Sequence, residues 1–220
     1  MSLRKKPFVL GEYYHIYNRG NSKQKIFHDQ EDYFRFISLL YACNSGNDFR
    51  IYALNSGESP YDFERGTLLV SIGAYCLMPN HFHILITQTD KGDISKFMQK
   101  LTTAYVMYYN KKYERTGGLF EGRFKAEHLD SDIYLKYIFS YIHLNPIKLI
   151  DEDWKENGIK NKKNVLEYLS NYKYSSYIDY IGKERIQNKI LNRKAFPDYF
   201  STPREFLREI FEWISFGEID

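Results

Sequence analysis

Residues 67–88 read TLLVSIGAYCLMPNHFHILITQ, two runs of β-branched and apolar residues around a Pro79-Asn80 pair. Proline presets φ and asparagine tolerates tight backbone conformations, so the pair marks a turn. The stretch predicts two antiparallel strands, Thr67 to Met78 and His81 to Gln88, with a tight connection. Upstream, Glu12 to Asn18 (EYYHIYN) is rich in aromatic and β-branched residues and ends on Arg19-Gly20-Asn21, which predicts a first strand and a turn. From Asp29 to Gly46 the period becomes helical: Tyr33, Phe36, Ile37, Leu40 and Tyr41 share a face, and Asp29 can cap the start. A polar segment with Ser-Gly, Ser-Pro and Arg-Gly breakers, Arg50 to Gly66, joins this helix to the strand pair.

Downstream, Ile94, Phe97, Met98, Leu101, Tyr105 and Tyr108 recur at spacings of three and four, which predicts a second helix from Asp93 to about Tyr113. Thr116-Gly117-Gly118 breaks it, and Leu119 to Leu129 supplies another extended segment. Asp130-Ser131 then opens a third helix carrying Tyr134, Tyr137, Ile138, Tyr141 and Ile142, which Pro146 should end. The order β, α, β, β, α, β, α predicts an α+β fold, a ferredoxin-like split β-α-β antiparallel sheet with helices on one face and an added helix. Beyond about residue 150 the composition turns polar and then mixed aromatic through Trp154, Tyr168, Tyr172, Tyr177 and Trp213. The reading is a domain over residues 1–150 and a mostly helical extension over 151–220.

The 220 residues, with 43% hydrophobic and 27% charged, exclude collagen-like, mucin-like and disordered chains and suffice for one well-filled core. No apolar run approaches the roughly 20 residues of a membrane span, and no apolar stretch follows the basic start MSLRKKPF as in a secretory signal. A cytoplasmic protein without membrane association is expected. Cys43 and Cys76 lack C-x-x-C spacing and read as buried thiols. The net charge of +3 is small, yet Lys111 to Lys125 alone holds five basic residues (Lys111, Lys112, Arg115, Arg123, Lys125) against two acidic ones. Interleaved with Tyr113, Phe120 and Phe124, they suit a phosphate backbone with stackable bases, or equally a solvated hairpin with aromatic feet in the core.

His81-Phe82-His83 lies inside a predicted strand, where alternate side chains share a face, so the two imidazoles point the same way and Phe82 the other. Such a pair can chelate one metal ion, and it can equally be two hydrogen-bonded surface histidines. In Tyr141-Ile142-His143-Leu144-Asn145 a spacing of four stacks Tyr141 and Asn145 on one helical face and turns His143 elsewhere. An amide beside a phenol can complete a ligand set next to a nucleophile. Alternatively, Tyr141 is a core aromatic and Asn145 a helix cap before Pro146.

Taken together, four segments resemble the HUH single-tyrosine transposases, most closely the REP-associated tyrosine transposases of the superfamily resembling insertion sequence 200. They are Tyr75 to Leu85 (YCLMPNHFHIL), Tyr14 to Asn21 (YHIYNRGN), Gly118 to Phe124 (GLFEGRF) and Tyr141 to Pro146 (YIHLNP), with a weaker echo at Tyr174 to Tyr177 (YSSY). The resemblance spans residues 8 to about 150. It implies a ferredoxin-like fold, His81 and His83 as ligands of a divalent metal ion (Mg²⁺ or Mn²⁺), Asn145 at the third ligand position and Tyr141 as nucleophile. Some relatives carry glutamine at the third position, so the shorter Asn145 is read as a ligand either direct or through water.

The implied activity is cleavage and rejoining of single-stranded or hairpin DNA through a 5′-phosphotyrosine. Arg115, Arg123 and Lys125, with Arg19 a weaker candidate, would contact the DNA backbone. His15 and His128 are read as solvated or hydrogen-bonded side chains, with extra acid/base or phosphate-binding groups as the alternative, and His143 as structural. The family holds dimers and monomers, so a homodimer is one of two arrangements it allows. Two other readings are a domesticated module that binds hairpin nucleic acid without cutting, and a metal-dependent nuclease using activated water.

Overall fold

The Pro79-Asn80 turn joins β2 (Val70–Met78) to β3 (His81–Gln88), and the pair is the centre of the architecture. A computed structural model describes residues 7–47, 59–159 and 161–215, so residues 50–58 of the predicted polar connection lie outside the described residues. β1 (Tyr13–Arg19) pairs antiparallel with β3, and β4 (Lys125–Leu129) pairs antiparallel with β1. The resulting order β2-β3-β1-β4 is the ferredoxin-like sheet that the element order predicts.

Alternation along the strands sorts the side chains onto two faces. Tyr14, Ile16, Phe82, Ile84, Ile86, Tyr75 and Leu77 face α1 (Gln30–Ala42) and α2 (Asp93–Lys112), and meet Phe36, Ile37, Leu40, Phe97, Leu101 and Tyr105 in one buried cluster. Burying each of these large side chains contributes about 1.5–3 kcal/mol, so this layer carries much of the stability. Asp29 caps α1 as predicted, its side chain accepting from Asp32 N–H. Asp32 itself is fully buried and accepts from His28 N–H, the hydroxyls of Tyr108 and Tyr113, and Lys112 Nζ, which ties the start of α1 to the end of α2.

The predicted added helix, α3 (Asp132–Leu144), packs on the opposite face against Ala74, Cys76, Met78 and Leu85. Two helices thus cover one face and the third, with the C-terminal elements, covers the other. Pro146 ends α3 as expected, but the chain continues helically through a 3-10 turn, Asn145–Leu149, so Asn145 stays one turn beyond Tyr141. β2 pairs only from Val70, because Asn44 claims the preceding backbone: its Oδ1 accepts from Leu69 and Val70 N–H. β4 is shorter than predicted because residues 119–121 instead lie along the end of β1, with Asn21 N–H donating to Leu119 and Glu121 N–H to Arg19.

Among the described residues four α-helices follow α3, namely α4 (Trp154–Asn157), α5 (Lys162–Asn171), α6 (Tyr177–Tyr180) and α7 (Pro203–Ser215), in line with the predicted helical extension. They share α3's apolar cluster through Val165, Leu169, Tyr177, Phe206 and Ile210. β2 is an edge strand, and this region covers it. Leu77 N–H donates to Tyr174, Ser176 N–H to Tyr75, and Asn192 N–H to Ile72. The exposed row of backbone groups that would invite pairing with another chain is therefore occupied. Gly73, at the β-bulge between Ile72 and Ala74, leaves room for the Phe196 ring, which a Cβ there would meet at 2.9 Å. Cys43 and Cys76 are free and buried, as read from sequence, and among the described residues no helix is long and apolar enough to cross a membrane.

Candidate active site

Strand register arranges the polar residues of the α3-facing side in rows. His81 pairs with Arg19; His83 pairs with Tyr17, which in turn pairs with Lys125; and His15 pairs with Glu127. Cross-strand partners share a face, so these seven side chains rise from one patch of sheet. The rings of His81 and His83 lie 4.9 Å apart and nearly perpendicular. α3 crosses above them and sets the Tyr141 ring 5.5 Å from that of His83 and 6.1 Å from that of His15.

Asn145, 2% exposed, lies where it acts on both the histidine and the phenol. Burial pushes His81 down to about 4; the Asn145 amide opposes this, and the positive charges of Lys148 and Arg19 add to the depression. His81 is thus neutral near pH 7, with a nitrogen lone pair to offer. Burial raises the Tyr141 phenol above its ordinary value, and the same amide pulls it back. Although it influences both groups, Asn145 has no hydrogen bond of good geometry to either of its amide atoms among the described residues. A buried carboxamide left in that state invites a ligand.

A second layer holds the histidines in place. His81 Nδ1 lies 2.6 Å from Asn80 Oδ1, and Asn80 Nδ2 donates to Lys23 O. His83 Nδ1 lies 2.8 Å from His15 Nε2, and His15 Nδ1 lies 3.4 Å from Glu127. Glu127 also accepts from Tyr17 Oη at 2.9 Å and Tyr134 Oη at 3.2 Å. Burial raises Glu127, but these donors outweigh it and hold the carboxyl below its usual range, whereas burial and Glu127 push Tyr17 up to about 12.

The structure therefore gathers His81, His83, Tyr141 and Asn145 into one site. Of the four basic candidates, Arg19 stands at its rim in a two-pronged ion pair with Glu121, and Lys125 is exposed on the same face. Arg123 is exposed in the loop before β4. Arg115 is elsewhere: its guanidinium lies over the Tyr109 ring, in the α1/α2 layer across the sheet. His143 is structural, as read from sequence: it is fully buried, its Nδ1 donates to Phe139 O, its Nε2 meets Ser176 Oγ at 2.8 Å, and burial depresses it to about 3. His128 is exposed and paired with Glu12. His15 is hydrogen-bonded too, but 3% exposed and in contact with His83, a place that sequence spacing did not assign to it. Glu127 and Tyr17 were also missed. The available signal was that His15 and Tyr17 alternate on one strand face.

The family described as "Transposase IS200 like" matches residues 67–145, the segment from the β2/β3 hairpin through α3. Over these residues the chain is similar to the IS200-like transposases. The match spans both histidines, Tyr141 and Asn145. Among solved structures, the "Structure of the REP associates tyrosine transposase bound to a REP hairpin" is similar with a TM-score of 0.52 and 14% identity, covering 85% of this chain and 90% of that one. At that identity the likeness shows a shared fold, and it extends well past the family segment into the C-terminal helices. No curated protein matches the chain.

Proposed function

We propose that this chain is a divalent-metal-dependent DNA transposase of the HUH single-tyrosine kind, which cuts and rejoins single-stranded or hairpin DNA with Tyr141 as nucleophile. The observation that carries this reading is the convergence on one face of two strand-borne imidazoles and a helix-borne phenol and carboxamide, with the buried amide of Asn145 acting on both His81 and Tyr141. Among the described residues no group of three or more His, Cys, Asp or Glu could hold a metal, so a closed zinc-type cage is not offered. Two neutral imidazoles with one amide oxygen leave coordination positions for water and phosphate, which suits Mg²⁺ or Mn²⁺. His81, His83 and Asn145 would hold the ion, which when bound draws charge from a non-bridging oxygen of the scissile phosphodiester.

The residues of the chain then do the following. Tyr141 Oη attacks phosphorus in line with the departing 3′-oxygen; the phenol loses its proton as the new P–O bond forms, and the leaving 3′-oxygen takes one up. The products are a 5′-phosphotyrosine and a free 3′-hydroxyl. Attack on that ester by another 3′-hydroxyl restores the phenol and joins strands without ATP. Arg19 and Lys125, in register with the site's strand residues, and Arg123, exposed in the loop before β4, are the backbone contacts this reading favours, while Arg115 would meet DNA only where it wraps past the helical layer. The solved relative was captured with a REP hairpin, which makes a hairpin the first substrate to try. In this reading residues 1–150 carry the chemistry, in the cytoplasm, and residues 151–220 brace α3 and the sheet edge.

The test is incubation with Mn²⁺ or Mg²⁺ and labelled hairpin-bearing single-stranded oligonucleotides, resolved on a denaturing gel against Tyr141→Phe and His81→Ala. A DNA-shifted protein band that requires metal, Tyr141 and His81 is expected. Cutting that persists in Tyr141→Phe without adduct would make the protein a nuclease using activated water; tight binding without cutting would make it a binding module.

A further inference from the structure

His83 is joined to a carboxylate two steps away. The chain of contacts runs from His83 Nδ1 to His15 Nε2 at 2.8 Å and from His15 Nδ1 to Glu127 Oε2 at 3.4 Å. Its polarity follows from hydrogen-bond inventory. An ionised carboxylate only accepts, and Glu127 is held in that state by Tyr17 Oη and Tyr134 Oη. His15 Nδ1 must therefore carry its proton toward Glu127. With Nδ1 donating to Glu127, the Nε2 of His15, 3% exposed and 2.8 Å away, is the acceptor for His83 Nδ1–H. The opposite polarity would aim the Nδ1 lone pair of His15 at a carboxylate.

We infer that Glu127 and His15 form a two-link positioning relay that fixes His83 in the tautomer protonated on Nδ1, so that its Nε2 lone pair faces the site. The inference rests on the proposed function for its purpose, because a neutral imidazole binds a metal through the nitrogen that carries no proton, and the group hydrogen-bonded to the other nitrogen selects it. His81 reaches the same state by a shorter route. Asn80 Nδ2 donates to Lys23 O, which turns Oδ1 toward His81 and makes His81 Nδ1 the donor. Both histidines then present Nε2, one fixed by the turn between β2 and β3 and the other through β1 and β4. The relay gives the YHIYN strand and the mid-strand Glu127 a task outside the matched family segment for His15 and within it for Glu127.

The experiment uses the full chain, freed of metal with a chelator and labelled with ¹⁵N-histidine. Long-range ¹H–¹⁵N correlation spectra report which nitrogen of His83 bears the proton, and Mn²⁺ titration followed by electron paramagnetic resonance, without DNA, reports affinity. In the wild type His83 is expected to be protonated on Nδ1. His15→Leu removes the acceptor and should shift His83 toward the Nε2-protonated form and weaken Mn²⁺ binding about 10–100-fold. His15→Gln, whose Oε1 can accept in place of Nε2, should restore both readouts to near wild type, which loss of packing alone would not allow. Glu127→Ala should resemble His15→Leu. Circular dichroism confirms that each variant is folded, and if His15→Leu is not, Glu127→Ala decides.

A wild-type His83 protonated on Nε2, or a folded His15→Leu with unchanged tautomer and affinity, would overturn the relay while leaving the proposed function standing. A wild type with the expected tautomer but no Mn²⁺ binding would instead overturn the metal reading.

Discussion

Ser176→Ala deletes a single oxygen that three segments share. Ser176 Oγ is fully buried; it accepts from Tyr75 N–H at 2.9 Å and meets His143 Nε2 at 2.8 Å. Because His143 Nδ1 donates to Phe139 O, its Nε2 is an acceptor, and the serine hydroxyl supplies the proton. Alanine leaves the Tyr75 amide and the His143 nitrogen buried without partners, and each costs about 1–3 kcal/mol. A loss near 3 kcal/mol is expected, which corresponds to about 6–12 °C in Tm for a chain of this size. The assay is urea unfolding, read as a fall in the transition midpoint at constant slope.

Ser140→Ala is the matched control. That hydroxyl is also fully buried on α3 but has no hydrogen-bond partner among the described residues, so its removal should change stability by less than about 0.5 kcal/mol or raise it. If Ser176→Ala costs no more than Ser140→Ala, the serine is not what pins α3 to β2, and the bracing role given to the C-terminal region loses its main support. The variant also bears on function, since α3 carries Tyr141 and a loosened helix should lower cleavage even at temperatures where the protein is folded.

Tyr141→Phe should abolish the DNA–protein adduct and leave hairpin affinity within about threefold, measured by fluorescence anisotropy, because the phenol oxygen acts on phosphorus and the packing ring remains. Asp32→Ala should cost about 1–3 kcal/mol in chemical denaturation, since it removes the acceptor of two tyrosine hydroxyls and of His28 N–H, while Lys112 keeps Asp29 and Glu31. Burial opposes ionisation of Asp32, but its four donors outweigh burial and depress its pKa, so its contribution is present above the unfolded value of about 3.9 and is lost as pH falls through the folded value. Acid unfolding of Asp32→Ala should accordingly show a weaker pH dependence below about pH 4. His143 behaves with the same sign for a different reason: it is depressed to about 3 by burial, so protons bind the unfolded chain first, and stability should fall by about 2 kcal/mol from pH 6.5 to pH 5. His143→Gln, though less stable at pH 7, should flatten that slope in urea titrations at several pH values.

The sequence by itself determined the elements and their order, because hydrophobic period and turn chemistry are local. His81 to Gln88 and the Asp93 start of α2 appear where the pattern places them, and Asp29 caps α1. It also placed His81 with His83, and Tyr141 with Asn145, since strand and helix periods fix which neighbours share a face. What it could not supply was which strands lie side by side. His15 is 68 residues from His83 and 112 from Glu127, and only the β2-β3-β1-β4 order brings the three into line. The same holds for Ser176, whose serine-rich echo had no evident task until the edge of β2 was seen to need covering. Arg115 shows the converse: charge density along the chain grouped it with Arg123 and Lys125, while the fold turned it to the other side of the sheet. Local chemistry is written in consecutive residues, but register and burial depend on contacts between segments far apart in the chain, and those are decided when the whole core packs.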